Sequence, residues 1–347
     1  MRLKLVVSEN RKKLGFVICV LLLSACAAPK PKVEAPEDLL DPAPPAASSR
    51  AKKAVPPSSP MVKEAEALLA KGDADAARSK FEQAVQADAG DVRALLGLGL
   101  SLEALDKPAE AERAYRAALA AEPSFAEAHN NLGLLLRDRG DDAKAIEELE
   151  LATAADPRLA SAQINLALAL EETGRANEAA LAYDKAVQLA PKDAMLRANR
   201  GLFLLAQHQS EPALQQLRSG LAVAAGDRAA LLALGNGFRR AGKPDEAVRA
   251  LSQAVKAGDG KPTPALLSEL ALAQNAANDA AGAKASLGQA LELEPRYATA
   301  HYLLGSIEAA AGDLRAARTH YERCIALEPK GPLAAKAKEK LAALKKQ

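Results

Sequence analysis

From residue 58 onward, the sequence repeats itself with a period of 34 residues. The frames are 58–91, 92–125, 126–159, 160–193, 194–227, 228–261, 264–297 and 298–331. Two inserted residues, Pro262 and Thr263, separate the sixth frame from the seventh. A fixed period of this length is typical of arrays of small supersecondary units, so it constrains the fold more than any other feature of the chain.

Four columns of the repeat show how each unit packs. Position 20 of the frame is alanine throughout, and positions 8 and 27 are always Ala, Gly or Cys. Position 24 is large and apolar: Phe81, Tyr115, Leu149, Tyr183, Leu217, Leu251, Leu287 and Tyr321. Small residues let two helices approach closely, since the distance between packed helices depends on the side chains at the contact. The columns therefore predict two helices in each frame, with the large residue filling the space beside the small ones.

Glycine and proline mark the ends of these helices. Position 15 is usually glycine, which tolerates positive φ and predicts the turn between the two helices. Position 32 is proline in five frames and predicts the end of the second helix, because the residue before proline avoids the α region. Pro108 and Pro244 fall where second helices begin. One such hairpin cannot bury its apolar face alone, so neighbours must stack into an all-α solenoid of about eight hairpins.

The repeat resembles the tetratricopeptide repeat family, and the resemblance covers residues 58–331. The best match begins at Ala126 and ends at Pro157, and it departs mainly at His129, where the family usually has Trp. The resemblance implies a right-handed superhelix whose first helices line a concave groove. The array is assigned to residues 61–331, and residues 332–347, with five lysines, predict a polar capping helix.

Repeats 5 and 6 depart most from the pattern. Arg200 replaces leucine at position 7, His208 replaces the turn glycine, and Ala225 replaces proline at position 32. The Pro262–Thr263 insertion follows these departures. We predict a change of superhelical pitch or a hinge around residues 200–227 and 255–265.

The start of the chain predicts an exported, anchored protein. Basic residues precede a short apolar run that ends in Leu23-Ser24-Ala25-Cys26. A basic start, an apolar core and small residues before a cleavage site are typical of a secretory signal. The L-S-A-C ending resembles the lipobox of bacterial lipoproteins, which implies cleavage between Ala25 and Cys26 and a covalent lipid on Cys26. An uncleaved membrane anchor with an incidental cysteine is the alternative.

The organisation that follows is a signal peptide over 1–25 and a lipidated cysteine with a proline-rich linker over 26–60. The linker composition cannot bury enough apolar surface to fold by itself. Ala27, rather than aspartate, follows Cys26, which in such lipoproteins implies sorting to the outer membrane.

Composition and residue spacing argue against several functions. The formal net charge of +2 shows no concentrated basic surface, so no nucleic-acid partner is expected. His129, His208, His301 and His320 occupy packing or turn positions without metal-ligand or nucleophile spacing. We therefore expect no enzyme activity, no metal, no small-molecule substrate and no cofactor besides the lipid on Cys26.

The groove implied by the resemblance carries the candidate site. Its positions 5 and 9 supply apolar residues that predict a strip for a partner: Leu96, Leu100, Leu134, Ile164, Leu168, Leu202 and Leu232. Asn131, Asn165 and Asn199 at position 6, with Asn236 at position 9, predict hydrogen bonds to a peptide backbone. The alternative is that these asparagines are a common family feature and that a tightly wound superhelix buries the leucines.

Two functions from different classes suit such a chain. The first is an envelope scaffold that holds a partner segment in the groove, similar to the tetratricopeptide lipoproteins that assist assembly of type IV or Flp pili, secretins or gliding-motility complexes. The second is an adaptor that recruits peptidoglycan hydrolases or synthases, or outer-membrane assembly factors, through several weak surfaces. Both place the protein at the outer membrane, lipid-anchored on the periplasmic face.

Overall fold

A computed structural model describes residues 59–258 and 260–344. Over these ranges the chain forms 17 α-helices and no strand, which confirms the predicted all-α repeat architecture. In the first four frames the helices are α1 Pro60–Ala70, α2 Ala74–Ala87, α3 Val92–Ala104, α4 Pro108–Ala121, α5 Ala126–Asp138, α6 Asp142–Ala155, α7 Ala160–Glu172 and α8 Ala176–Leu189. The others are α9 Ala194–Ala206, α10 Ser210–Val223, α11 Arg228–Arg240, α12 Pro244–Lys256, α13 Pro264–Ala276, α14 Ala280–Leu293, α15 Ala298–Ala310, α16 Leu314–Leu327 and α17 Pro332–Leu344.

The predicted signal peptide, the lipidation site at Cys26 and most of the linker lie outside the described residues. Within the described ranges, no helix combines the length and the apolar character that crossing a bilayer requires. The anchor therefore remains a prediction from the sequence.

Two compact units divide the chain between Arg175 and Ala176. The N-terminal unit contains α1 to α7, and the C-terminal unit contains α8 to α17. Within each unit, a first helix packs against the second helix of its own hairpin, as α3 on α4 and α11 on α12, and against the second helix of the preceding hairpin, as α3 on α2 and α7 on α6. First helices also contact one another, as α5 contacts α7 and α9 contacts α11, whereas successive second helices within a unit make at most marginal contact. The first helices therefore form the inner layer of each unit, and the second helices form its outer layer.

Position 24 fills the interior of the hairpins as predicted. Tyr115, Leu149 and Tyr321 are buried, each facing a glycine at position 8 of its own frame. Among the glycines at position 8, Gly99 has the tightest fit, because a Cβ built there would lie 2.3 Å from Cε1 of Tyr115. The small residue of the first helix and the large residue of the second are thus one packing pair.

The turn at position 15 has positive φ in every frame. Glycine occupies it in five frames, but Asp106 (φ 58°), His208 (φ 58°) and Asn278 (φ 64°) take the same conformation. Asn, Asp and His are the residues other than glycine that adopt this region most often. His208 therefore preserves the hairpin turn despite its departure from the sequence pattern.

The loop between α12 and α13 contains the two-residue insertion. Arg228, the first residue of α11, binds this loop through hydrogen bonds to its backbone. Its guanidinium donates hydrogen bonds to the carbonyl oxygens of Ala254 (3.2 Å), Gly260 (2.6 Å) and Ala257, with Lys261 at 3.5 Å. The guanidinium therefore tethers the loop to the first helix of the same frame, and the hinge expected here from the sequence stays a prediction.

The last hairpin is covered by α17. Ala334 and Ala337 are buried, and Ala337 packs in one cluster with Tyr321 and Cys324. The exposed lysines Lys336, Lys338 and Lys340 point away from this contact. Burial raises the pKa of the Cys324 thiol, so the side chain is a neutral packing residue.

Candidate partner-binding groove

The five apolar candidates of the N-terminal unit lie on three inner-layer helices. Leu96 and Leu100 are on α3, Leu134 is on α5, and Ile164 and Leu168 are on α7. All five side chains are half-buried: each is partly covered by neighbouring residues and partly exposed to solvent. The bases of Leu96 and Leu100 pack against the core, Leu96 next to a cluster containing Phe125 and Leu100 next to one containing Phe81.

The asparagines of this unit form one hydrogen-bonded network. Asn165 Nδ2 donates to Asn130 Oδ1 at 2.8 Å, and Asn130 Nδ2 donates to Asn131 Oδ1 at 3.1 Å. The network joins α5 to α7 through Asn130, which is not among the site residues predicted from the sequence. The signal for Asn130 was available, since asparagine replaces the apolar residue that neighbouring frames carry at position 5.

The network leaves one amide donor and one amide oxygen without a hydrogen bond in the described part of the chain. In the described part of the chain, Asn131 Nδ2 and Asn165 Oδ1 make no hydrogen bond. Both side chains are half-buried rather than enclosed, so water or a ligand can reach them. The three asparagines therefore present a fixed donor and a fixed acceptor of the kind that an extended backbone can pair with.

Four candidates belong to the C-terminal unit. Asn199 and Leu202 are on α9, Leu232 and Asn236 are on α11, and all four are half-buried. Leu232 packs against the core of this unit, while Asn236 Oδ1 is buried and has no hydrogen-bond partner among residues 59–258 and 260–344. Each unit thus brings its own candidates together, and the continuity of the strip from Leu168 to Leu202 remains a prediction.

In α3, α5 and α7 of the N-terminal unit, the last two positions, 12 and 13, carry four acidic residues and one basic residue, Arg137. The acidic residues are Glu103 in α3, Asp138 in α5, and Glu171 and Glu172 in α7. Tyr115 donates its hydroxyl hydrogen to Glu103 Oε1 at 2.8 Å, and Arg137 Nε lies 3.8 Å from Glu172 Oε2. The side chain of Glu172 is 58% exposed, so its charge is open to solvent and to a ligand.

The same two positions have the opposite sign in the C-terminal unit. Arg239 and Arg240 end α11, and the ends of α9, α13 and α15 carry no charge at positions 12 and 13. Arg239 Nη2 lies 3.3 Å from Glu269 Oε2, and burial raises the pKa of Glu269 in spite of that arginine. The two units therefore differ in charge at equivalent places of the repeat.

The histidines have structural surroundings. His129 Nδ1 lies 2.6 Å from Glu148 Oε2 and its Nε2 lies 3.0 Å from the carbonyl oxygen of Pro123. In the equivalent places of repeat 8, His301 Nδ1 lies 3.0 Å from His320 Nδ1. Among the described residues, no three His, Cys, Asp or Glu side chains come together as a metal site.

The pKa values of His129 and His301 are shifted in opposite directions by their surroundings. Burial by itself lowers the pKa of His129, but the hydrogen bonds to Glu148 and Pro123 outweigh it and raise that pKa. Burial, followed by the charge of His320, lowers the pKa of His301. The same structural position therefore favours the imidazolium in repeat 3 and the neutral imidazole in repeat 8.

We expect His129→Gln and His301→Gln to respond oppositely to acid. The stability contributed by His129 is fully present below the unfolded pKa of about 6.5 and is lost as the pH rises through its higher folded pKa. The contribution of His301 is present above about pH 6.5 and is lost as the pH falls through its lower folded pKa. From about pH 8 to about pH 5.5, the free energy of unfolding lost by His129→Gln should grow, and that lost by His301→Gln should shrink. Urea unfolding at both pH values measures this, and parallel changes would contradict it.

Comparison with known proteins assigns the repeat. A family model described as "Tetratricopeptide repeat" matches residues 62–106, 100–160, 199–262, 232–283 and 268–332. A second model with the same description matches residues 160–193, so the matches cover well over half of the chain. No curated protein matches the sequence.

Solved structures of similar fold come from varied proteins. A chain of the APC/C hetero-tetramer Cut9–Hcn1 aligns with a TM-score of 0.55 at 17% identity, over 83% of this chain and 57% of that one. A tetratricopeptide repeat protein from Parabacteroides merdae aligns with a TM-score of 0.51 at 15% identity, over 74% of this chain and 97% of that one. PilW, described as a widely conserved type IV pilus biogenesis factor, aligns with a TM-score of 0.51 at 20% identity, over 61% of this chain and 97% of its own. At such identities the likeness shows the fold alone.

Proposed function

This chain belongs to the tetratricopeptide repeat family, and we propose that it is a lipid-anchored scaffold on the periplasmic side of a bacterial outer membrane. Proteins of this fold are generally non-catalytic scaffolds that bind protein partners. In this proposal the groove holds a segment of an envelope protein and assists assembly of a type IV or Flp pilus, a secretin or a gliding-motility complex. It needs no metal, nucleic acid, small-molecule substrate or cofactor beyond the lipid on Cys26.

The observation that carries the binding role is the apolar strip of the N-terminal unit. Leu96, Leu100, Leu134, Ile164 and Leu168 follow one another on inner-layer helices and are only half-buried. Apolar side chains that neighbouring helices leave partly exposed on one layer are the kind of surface that partners bind. The Asn131–Asn130–Asn165 network beside it adds polar groups that fix the orientation of a ligand.

The membrane location rests on the sequence. The apolar run before Cys26 is about ten residues, too short to span a bilayer and of the length found in signal peptides. A single acyl chain binds membranes only marginally, and two or more hold firmly, so a multiply acylated Cys26 would keep the whole array at the membrane. Mass spectrometry of the mature N-terminus tests this step, and an intact residue 25–26 bond without lipid would contradict it.

The choice of a pilus-type machine is supported by fold-level likeness. PilW, the type IV pilus biogenesis factor, shares the repeat fold over 61% of this chain. Fold alone does not carry function, because the same scaffold serves unrelated partners. The partner must therefore be identified in the envelope itself.

Crosslinking in intact envelopes, followed by mass spectrometry, tests the proposal. We expect the double variant Leu134→Glu/Leu168→Glu to recover the main partner at a level at least about tenfold lower than wild type, because two buried charges would have to be desolvated in the complex. Leu151→Glu is the matched control, since Leu151 lies on the outer helix α6 and is 45% exposed. Circular dichroism of both variants checks that they fold.

The partner's identity decides between machines. Recovery of a secretin, pilus or motility component that only the groove variant loses would support the scaffold. Partner recovery that is equal in the groove variant and in wild type would contradict a groove-dependent role.

Exposed leucines outside the groove favour a second candidate function. Leu151, Leu181 and Leu293 lie on second helices and are 45%, 63% and 40% exposed. Several separate apolar contacts suit an adaptor for cell-wall enzymes or outer-membrane assembly factors. Recovery of wall hydrolases or synthases that depends on Leu151 and not on Leu134 would select this function.

A further inference from the structure

We propose that the last two helices, α16 and α17, bind the surface of an anionic lipid bilayer through its phosphate groups. This contact is separate from the groove, and it depends on the proposed lipid anchor only for the nearness of a membrane. We call its residues the basic cap: Arg315, Arg318 and Arg323 on α16, Lys330 in the loop that follows, and Lys336, Lys338 and Lys340 on α17.

Positive charge is concentrated in the last 34 residues of the chain. Residues 314–347 contain nine Lys or Arg and three Asp or Glu, a formal charge of +6. Residues 176–313 contain 14 of each and are neutral, whereas residues 59–175 contain 13 basic and 22 acidic residues, a formal charge of −9. The total of +2 for the whole chain therefore conceals a basic surface on two adjoining helices, since α16 packs against α17.

The solubility of an outer helix does not require charge of one sign. In the same unit, α10, α12 and α14 each carry equal numbers of acidic and basic residues, whereas α16 and α17 each carry three basic residues and one acidic residue. The helix dipole does not account for the difference, because Arg315 lies in the first turn of α16, where a cation is disfavoured. The excess positive charge is instead suited to attracting an anionic partner.

The cations of the basic cap are accessible, and most of them are unpaired. All seven residues are exposed, because α16 and α17 pack on each other through their opposite faces, with Tyr321, Cys324 and Ala337 between them. Arg318 Nε lies 3.2 Å from Glu322 Oε1, and in the described part of the chain the other six cations form no ion pair. Their charge is therefore available to a ligand.

The composition of the basic cap favours a lipid surface over a protein surface. Protein interfaces are enriched in aromatic residues, methionine and arginine, and they are depleted in lysine. Four of the seven cations are lysines, and none of the exposed large apolar side chains of the described residues lies on α16 or α17. The apolar face of α17 already packs against the last hairpin, so this helix has no free apolar face to insert into a bilayer. What remains is attraction between the cations and lipid phosphates at the membrane surface.

Several cations together make such a contact strong enough to matter. Each Lys or Arg near an anionic bilayer strengthens binding about fivefold. A lipid on Cys26 would keep the basic cap at a high local concentration beside the membrane, so the two contacts would reinforce each other.

Vesicle sedimentation tests the inference on the chain that begins at residue 26 and carries Cys26→Ser, which has no lipid of its own. The vesicles consist of phosphatidylcholine alone or of phosphatidylcholine with about 30% phosphatidylglycerol, which supplies the negative charge. We expect binding to the anionic vesicles to be at least about tenfold tighter at about 50 mM NaCl, and we expect this preference to disappear at about 500 mM NaCl. Inorganic phosphate at about 10 mM and equal ionic strength should not compete, because a bilayer presents many phosphates at once.

Variants of α17 show whether the basic cap makes the contact. Lys336→Gln/Lys338→Gln/Lys340→Gln should weaken binding to the anionic vesicles at least about tenfold, because three cations are removed. Replacing the same three lysines with arginine should leave binding unchanged, since the charge is kept. Circular dichroism checks that both variants fold.

Two further variants separate this contact from net charge and from the groove. Lys243→Gln/Arg249→Gln/Lys256→Gln removes three exposed cations from the hairpin of α11 and α12, and it should change binding less than about twofold. Leu134→Glu/Leu168→Glu should also bind the anionic vesicles within about twofold of wild type, because it alters the other unit. Failure of this contact and failure of the groove are therefore distinguishable results.

Several outcomes would overturn the inference. Equal binding to both kinds of vesicle, binding to neither, or an equal loss in the α12 variant would each contradict a role of the basic cap at a membrane. Competition by inorganic phosphate would indicate a site for a single phosphate group. Salt-sensitive self-association that the α17 glutamine variant abolishes would make the acidic N-terminal unit of a second copy the ligand. Tighter binding to a short DNA duplex than to the anionic vesicles would make a nucleic acid the ligand.

Discussion

Replacing Gly99 with valine is expected to lower the free energy of unfolding by about 3 kcal/mol. Even a single Cβ at this position would lie 2.3 Å from the ring of Tyr115, and that ring is completely buried between the helices of its hairpin. Because the ring is enclosed on all sides, it cannot move away from the new side chain, and α3 and α4 must separate. Because each hairpin buries its apolar face against its neighbours, the damage should extend into frames 1 and 3.

Gly288→Ala is the matched control for this substitution. Gly288 also lies inside a helix, α14, but a Cβ built there meets nothing within 4 Å. Alanine at an open helical position should raise stability by about 0.5–1 kcal/mol. Urea unfolding followed by circular dichroism measures both variants, and amide exchange locates the change. A loss at Gly99 below about 1 kcal/mol would show that the hairpin accommodates the side chain, contrary to close packing of this pair.

Arg228→Ala is expected to lower stability by about 2 kcal/mol and to release the loop after α12. The guanidinium donates to the carbonyl oxygens of Ala254, Ala257 and Gly260, and the first of these lies in the last turn of α12. A cation at a helix C-terminus also interacts favourably with the dipole. Arg228→Lys should recover only part of the loss, because a compact ammonium lacks the wide planar fork of N–H donors with which the guanidinium spans these carbonyl oxygens.

Amide exchange of residues 255–261 distinguishes this tether from the hinge that the sequence predicts. In the wild type, we expect protection similar to that of other inter-helix loops, and in Arg228→Ala we expect exchange to accelerate there and not in frames 1 to 3. Arg249→Ala is the control, since Arg249 is exposed on α12 of the same hairpin. Rapid exchange of residues 255–261 in the wild type would support the hinge prediction.

The period of 34 was sufficient to predict the helical hairpins, because its columns reflect contacts inside each hairpin. Pro108 and Pro244 begin α4 and α12, and the helices before Pro123 and Pro157 end two residues earlier, at Ala121 and Ala155. The conformation of His208 shows the limit of residue-by-residue reasoning. Its turn is imposed by the packing of α9 on α10, so the backbone keeps positive φ where the sequence suggested a departure.

The candidate site was less accessible to sequence reasoning. Asn131 and Asn165 were predicted as independent members of a ladder, but Asn130 joins them, and its departure from the apolar residues at position 5 does not by itself reveal that it bonds to the neighbouring repeat. The acidic residues at positions 12 and 13 were visible in the sequence, but only the structure shows that Glu103 accepts a hydrogen bond from Tyr115 and that Glu172 lies beside Arg137 of the neighbouring repeat. Stacking of units, rather than the content of any one unit, supplies this information.

The buried thiol of Cys324 can report on the opening of the last hairpin and its covering helix. Downstream of Cys26 the sequence contains no other cysteine, and this one is completely enclosed between α16 and the covering helix α17. A thiol reagent can react with Cys324 only after α17 detaches from the last hairpin. Until then, burial raises the pKa of the thiol and so disfavours the reactive thiolate. The rate of labelling at Cys324 therefore measures how often the terminal hairpin opens, and no cysteine has to be engineered for it.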